Sequence, residues 1–113
     1  IPVNPGKTYS VTIDFWLWSE RQSDVNQWYV VAYAGTKDPE VETDLPRIGI
    51  TELTAEWHNY SYKTYVPSGA SDHLYVAFGI SCVWETVRTY YVDWVTVSVK
   101  EVEARPKPPQ LTE

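Results

Sequence analysis

One cysteine, Cys82, stands in the chain, so no intrachain disulfide can form, and no CxxC pair or Cys/His cluster offers zinc-type spacing. Methionine is absent and glycine is limited to 5 residues of 113. No window of a dozen residues carries apolar side chains at helical spacing between caps, so helix is expected to be absent or a single turn. Basic residues are also few. Nine Lys and Arg against 15 Asp and Glu leave a net charge of −6, which excludes a nucleic-acid backbone as the natural partner because phosphates need a basic face. The uncharged run Trp28–Thr36 has nine residues, about half of what crosses a bilayer, and no membrane insertion is expected. Ile1 opens directly on Pro2-Val3-Asn4-Pro5-Gly6 without a basic segment and an apolar one. That start is expected of a mature or truncated product from which a secretory signal has been removed.

Catalytic signatures are missing too. There is no Gly-x-Ser-x-Gly elbow, no HExxH and no glycine-rich phosphate loop, and His58 and His73 stand alone in strand patterns. A glycosidase needs two carboxylates about 5–10 Å apart across a cleft, a spacing that sequence does not fix for carboxylates on different elements. The chain reads as non-enzymatic.

What is present is aromatic. Six Trp and nine Tyr stand against two Phe. Trp and Tyr join a flat apolar body to a polar handle, which suits half-exposed surfaces better than a dry core. The length allows one domain with a single core, and that domain is expected over residues 1–102.

Hydrophobicity alternates with period 2. In Lys7–Trp18 the odd positions Tyr9, Val11, Ile13, Phe15 and Leu17 are apolar, and Ser10, Thr12, Asp14, Trp16 and Trp18 take the other face. Gln27–Ala34 is apolar on both faces, as in a strand covered on each side. Further strands are expected at Trp57–Val66, His73–Cys82 and Thr89–Glu101, with inward sets Leu74, Val76, Phe78, Ile80 and Val95, Val97, Val99. Turn signals at Asn4-Pro5-Gly6, Ala34-Gly35, Asp38-Pro39, Leu45-Pro46 and Val66-Pro67-Ser68-Gly69 separate the strands. The expected fold is an all-β antiparallel sandwich, with Val11, Ile13, Phe15, Val76, Phe78, Ile80, Val95 and Val97 in the core. Glu103–Glu113, with three prolines, reads as an arm or linker. The long strand Lys7–Trp18 has no strand before it to pair with, which raises the question of what protects the sheet edge.

Pro5-Gly6-Lys7-Thr8-Tyr9, Glu56-Trp57 with Tyr60, Val66-Pro67-Ser68, Leu74-Tyr75-Val76-Ala77-Phe78 and Tyr90-Tyr91-Val92-Asp93-Trp94-Val95 follow one another in an order that resembles the carbohydrate-binding modules of the jelly-roll superfamily, families four, nine and twenty-two. The resemblance spans about residues 3 to 100. It implies a jelly-roll sandwich, a non-catalytic appendage of a secreted polysaccharide-degrading enzyme, and glycan binding on a sheet face through exposed aromatics. It also implies a structural calcium near the Lys7 turn and Asp93. The chain departs from the family in lacking the opening strands and in carrying Trp94 where a second acidic or small residue is common.

Trp16, Trp18 and Asp14 share the outward side of one strand. An indole face stacks on the apolar C–H face of a pyranose, and a carboxylate accepts hydroxyl hydrogen bonds. The other reading of the two indoles is cover for a second layer or a subunit contact. Tyr75 is expected to extend the platform, Trp28 and Trp84 are candidates to flank it, and Trp28 is equally a core candidate. Trp57 reads as structural. The acidic stretch Asp38–Asp44 spaces its carboxylates as oxygen ligands for calcium can be spaced, but a solvated loop is the better reading. Asn59-Tyr60-Ser61 is an Asn-x-Ser sequon, meaningful in a glycosylating secretory route.

Two functions from different classes follow. One is an extracellular module binding polysaccharide. The other is a structural subunit of an extracellular filament or surface assembly, its sandwich edge completed by a strand from a second copy, with Ile1–Pro5 or Glu101–Glu113 as donor.

Overall fold

The computed structural model describes residues 1–19, 29–51, 55–81 and 89–102. It has six strands: β1 (Thr8–Ser19), β2 (Tyr29–Gly35), β3 (Arg47–Ile50), β4 (Trp57–Pro67), β5 (Tyr75–Ser81) and β6 (Tyr90–Val102). They form two antiparallel three-stranded sheets, β4-β1-β6 and β3-β2-β5. These are the two layers of a β-sandwich, and the expected fold class holds. The described residues contain a single turn of 3₁₀ helix, Glu42–Asp44.

β1 shows the sharpest alternation because it is the central strand of its sheet, hydrogen-bonded to β4 on one side and β6 on the other. Its inward residues Val11, Ile13, Phe15 and Leu17 are buried with Val30, Ala32, Val66 and Leu74. Each fully buried side chain of this kind contributes roughly 1.5–3 kcal/mol through apolar area removed from water. Val76, Phe78, Ile80 and Val97 pack against this centre while partly exposed. β2 is covered on both faces as its composition implies. Val30 and Ala32 point into the core, while Val31 is buried outside it, opposite Arg47, whose guanidinium lies 3.8 Å from the centre of the Tyr29 ring.

The strand pattern departs from expectation in two places. β3 was not anticipated, since Arg47-Ile48-Gly49-Ile50 is too short and glycine-interrupted to show a period. Val95 is not core but 44% exposed. Trp16 pairs with Asp93 and Asp14 with Thr96, so two β6 residues, Trp94 and Val95, stand against Phe15 alone. This bulge resets the phase of the strand. Val92 faces inward before it, and Val97 and Val99 after it.

The amino-terminal segment, one of the two candidate donor strands, is paired within the chain in this structure. Ile1–Pro5 lies along its own chain: Pro2 bridges His73, Val3 N–H donates to Asp72 O, and Leu74 N–H donates to Ile1 O. Just beyond, the Pro5-Gly6-Lys7 turn is fastened to Pro67-Ser68-Gly69. Gly6 N–H donates to Gly69 O, and the buried Ser68 hydroxyl accepts from Lys7 N–H and lies 2.8 Å from Asn4 O. These bonds pair Ile1–Val3 with Asp72–Leu74 of the same chain. The other candidate donor, Glu101–Glu113, belongs to β6 as far as Val102 and otherwise lies outside the described residues, as does the expected Pro-rich arm.

Candidate functional site

The core-facing residues of β1 are buried in an unbroken series, which leaves the opposite side of sheet β4-β1-β6 free of any role in the hydrophobic core. Register places Trp18 opposite both Trp57 and Tyr91, and Trp16 opposite both Asn59 and Asp93. Directly paired residues share a face. One end of this outer face therefore carries aromatic side chains from all three strands.

The rings touch one another. Trp16 and Trp94 meet edge to face, with centroids 6.0 Å apart and planes at 81°; Trp57 lies 5.8 Å from Trp94, and Trp18 lies 5.4 Å from Tyr91. Such pairs are individually worth about 0.5–1.5 kcal/mol, enough to hold the rings in place without burying them. Exposure stays high: 37% for Trp16, 39% for Trp57, 57% for Tyr91 and 63% for Trp94. Beside them Asn59 Nδ2 donates to Asp14 Oδ1 at 2.9 Å and to Phe15 O at 3.2 Å. Both amide hydrogens are taken by these two bonds, so the Asn59 carbonyl and the second Asp14 oxygen are the groups this pair can offer, and both accept hydroxyl hydrogens. The arrangement suits a neutral, hydroxyl-rich ligand with an apolar face.

The expected residues Asp14, Trp16 and Trp18 are brought together as the alternation implied. Tyr75 is not. It begins β5 in the opposite sheet, where it lines a groove of about 610 Å³ with Tyr33, Lys37, Asp38, Glu40 and Asp44. Trp28 and Trp84 lie outside the described residues. Trp57, read from sequence as structural, belongs to the aromatic face, as do Tyr91 and Trp94. Trp57 was legible once β4 is paired to β1 in register. Trp94 is reached only through the bulge, whose one trace in the sequence is the switch of apolar positions from Val92 to Val95, Val97 and Val99.

The residues expected to hold calcium do not meet. Lys7 precedes Thr8, which pairs with Val102, while Asp93 pairs with Trp16 eight residues further along β1. At the rise of a β-strand this is about 25 Å. Asp93 is exposed rather than buried, and its Oδ1 accepts the N–H of Trp94 at 2.8 Å. Lys7 pairs instead with Glu101 at 3.6 Å. Lys7 and Asp93 are therefore too far apart to share one ion, and among the described residues no three His, Cys, Asp or Glu side chains converge as metal ligands. The acidic loop keeps to itself: Asp44 Oδ2 accepts the backbone N–H groups of Glu40 and Val41.

No protein-family profile matches this chain, and no curated protein and no solved structure matches it.

Proposed function

We propose that the chain is a non-catalytic carbohydrate-binding module of the jelly-roll kind, working outside the cell and holding polysaccharide chains on the outer face of sheet β4-β1-β6. The observation that carries this reading is the cluster of Trp16, Trp57 and Trp94, exposed and braced through Trp94, with the exposed Tyr91 packed on Trp18 beside it, on a face the core does not need. Sugars present apolar C–H faces ringed by hydroxyls, and indoles beside the acceptor oxygens of Asp14 and Asn59 complement both features.

Affinity electrophoresis against plant, algal and microbial polysaccharides tests it. Wild type is expected to be retarded by at least one of them. Trp16→Ala should weaken that binding by roughly 1–3 kcal/mol, the scale of losing a central aromatic contact, with the melting temperature nearly unchanged. If the same rings instead join copies of the chain into an assembly, wild type is retarded by none, and light scattering on a sizing column shows Trp16→Ala dissociating the oligomer.

A further inference from the structure

Among the described residues one non-glycine side chain sits at positive φ: Trp94, at 49°. There the Cβ crowds the following carbonyl, and a bulky residue in this region is a true outlier. Trp94 occupies the β6 bulge, in the left-handed slot that glycine takes in bulges of this hand. The strain is not offset by burial, because Trp94 is the most exposed of the large apolar side chains on this face.

The bulge changes where that side chain points. Val92 faces the core, so strict alternation would turn residue 94 to the core as well, beneath the sheet. The extra residue re-aims it outward, and the indole reaches across the central strand to meet Trp16 on β1 and Trp57 on β4. Asp93 secures the turn, its carboxylate accepting the N–H of the strained residue at 2.8 Å. Strain kept at an exposed position, where it adds little packing, points to what the residue presents.

We infer that the Asp93–Trp94 bulge serves to deliver the Trp94 indole to the aromatic face as a ligand-contacting wall set at right angles to Trp16, with Asp93 as its positioning residue. This rests on reading that face as the glycan-binding surface.

Two pairs of variants test it. Trp94→Gly and Trp94→Ala remove the same ring and differ in tolerance of the left-handed backbone. In an ordinary strand glycine is the less stable of the two; here Trp94→Gly is expected to melt at the higher temperature, and the ordinary order would overturn the strained bulge. Both variants should weaken binding to a polysaccharide that retards wild type by about tenfold or more, and wild-type affinity in either would overturn the contact. Asp93→Ala, which leaves every ring in place, should also weaken binding, and Asp93→Asn, which keeps an acceptor oxygen, should restore it. Unchanged binding in the first or no rescue in the second would overturn the positioning role. If no polysaccharide retards wild type, the glycan reading and the Trp94 contact fail together, while the order of the glycine and alanine variants still decides the bulge.

Discussion

The outer face of sheet β4-β1-β6 has two ends built on the same strands and backed by the same core, and they differ in almost every side chain. At one end stand Trp16, Trp18, Trp57, Tyr91 and Trp94; at the other stand Ser10, Thr12, Thr96, Ser98, Lys63 and Lys100, with Tyr65 its one exposed ring. Beneath both, Val11, Ile13, Phe15 and Leu17 are equally buried. Folding therefore does not call for the aromatic end, since the hydroxyl and lysine end makes the same ladder and covers the same core without it. Contiguous exposed apolar surface on a small domain marks recognition far more often than stability.

The largest effect should fall on what the two ends share. Phe15→Ala, under the bulge and against Tyr60 and Phe78, should cost about 3–5 kcal/mol in urea unfolding and remove structure at both ends alike. A loss confined to one end would show that the sandwich is not one cooperative unit.

Next comes the seam beyond the hydroxyl end, where Ser68 is buried and bonded to Asn4 and Lys7. Ser68→Ala leaves the Lys7 N–H and nearby carbonyls short of a partner and should destabilise by about 1–3 kcal/mol. Binding at the aromatic end should persist below the lowered melting temperature. If binding disappears in the still-folded protein, the two ends are coupled.

The comparison sharpens with a pair of outer-face variants. Trp57→Ala should reduce glycan affinity severalfold, whereas Thr12→Ala at the other end should change affinity and stability by less than about 0.5 kcal/mol. Equal losses would erase the distinction between the ends.

The smallest effect is one of pH. The Asp72 carboxyl is held below its ordinary value of 3.8 by the hydrogen bond from His73 and then by that residue's charge. A carboxyl depressed on folding adds stability above its unfolded value and loses it as pH falls through the folded one. Because the pair is exposed, Asp72→Asn should lower the melting temperature only slightly near pH 5, and the difference should vanish in strong acid.

How much of this could be read in the sequence follows from burial. β1 is central, so one face meets the core at every second residue and its alternation gives strand, register phase and outward Trp16 and Trp18 together. β5 has an equally clear period that gives Tyr75 its outward phase, yet period alone says nothing about which sheet a strand joins, and Tyr75 stands exposed on the other sheet. The jump from Val92 to Val95 was visible but reads as noise until β6 is laid against β1. Lys7 and Asp93 belong to one resemblance but lie at opposite ends of the β1–β6 ladder, and only the register separates them.

The chain has six tryptophans, each with an indole N–H that gives its own signal in a nitrogen–proton correlation spectrum. Titration with oligosaccharides prepared from the plant, algal and microbial polysaccharides of the electrophoresis panel tests most directly whether the aromatic end is a binding face. The expected result is that at least one of these sugars shifts the indole signals of Trp16, Trp57 and Trp94 together, at sugar concentrations that leave the Ser10–Thr12 amides unmoved. If no indole moves with any sugar of the panel, or if the signals that move exclude all three of those residues, the aromatic end is not a glycan-binding face.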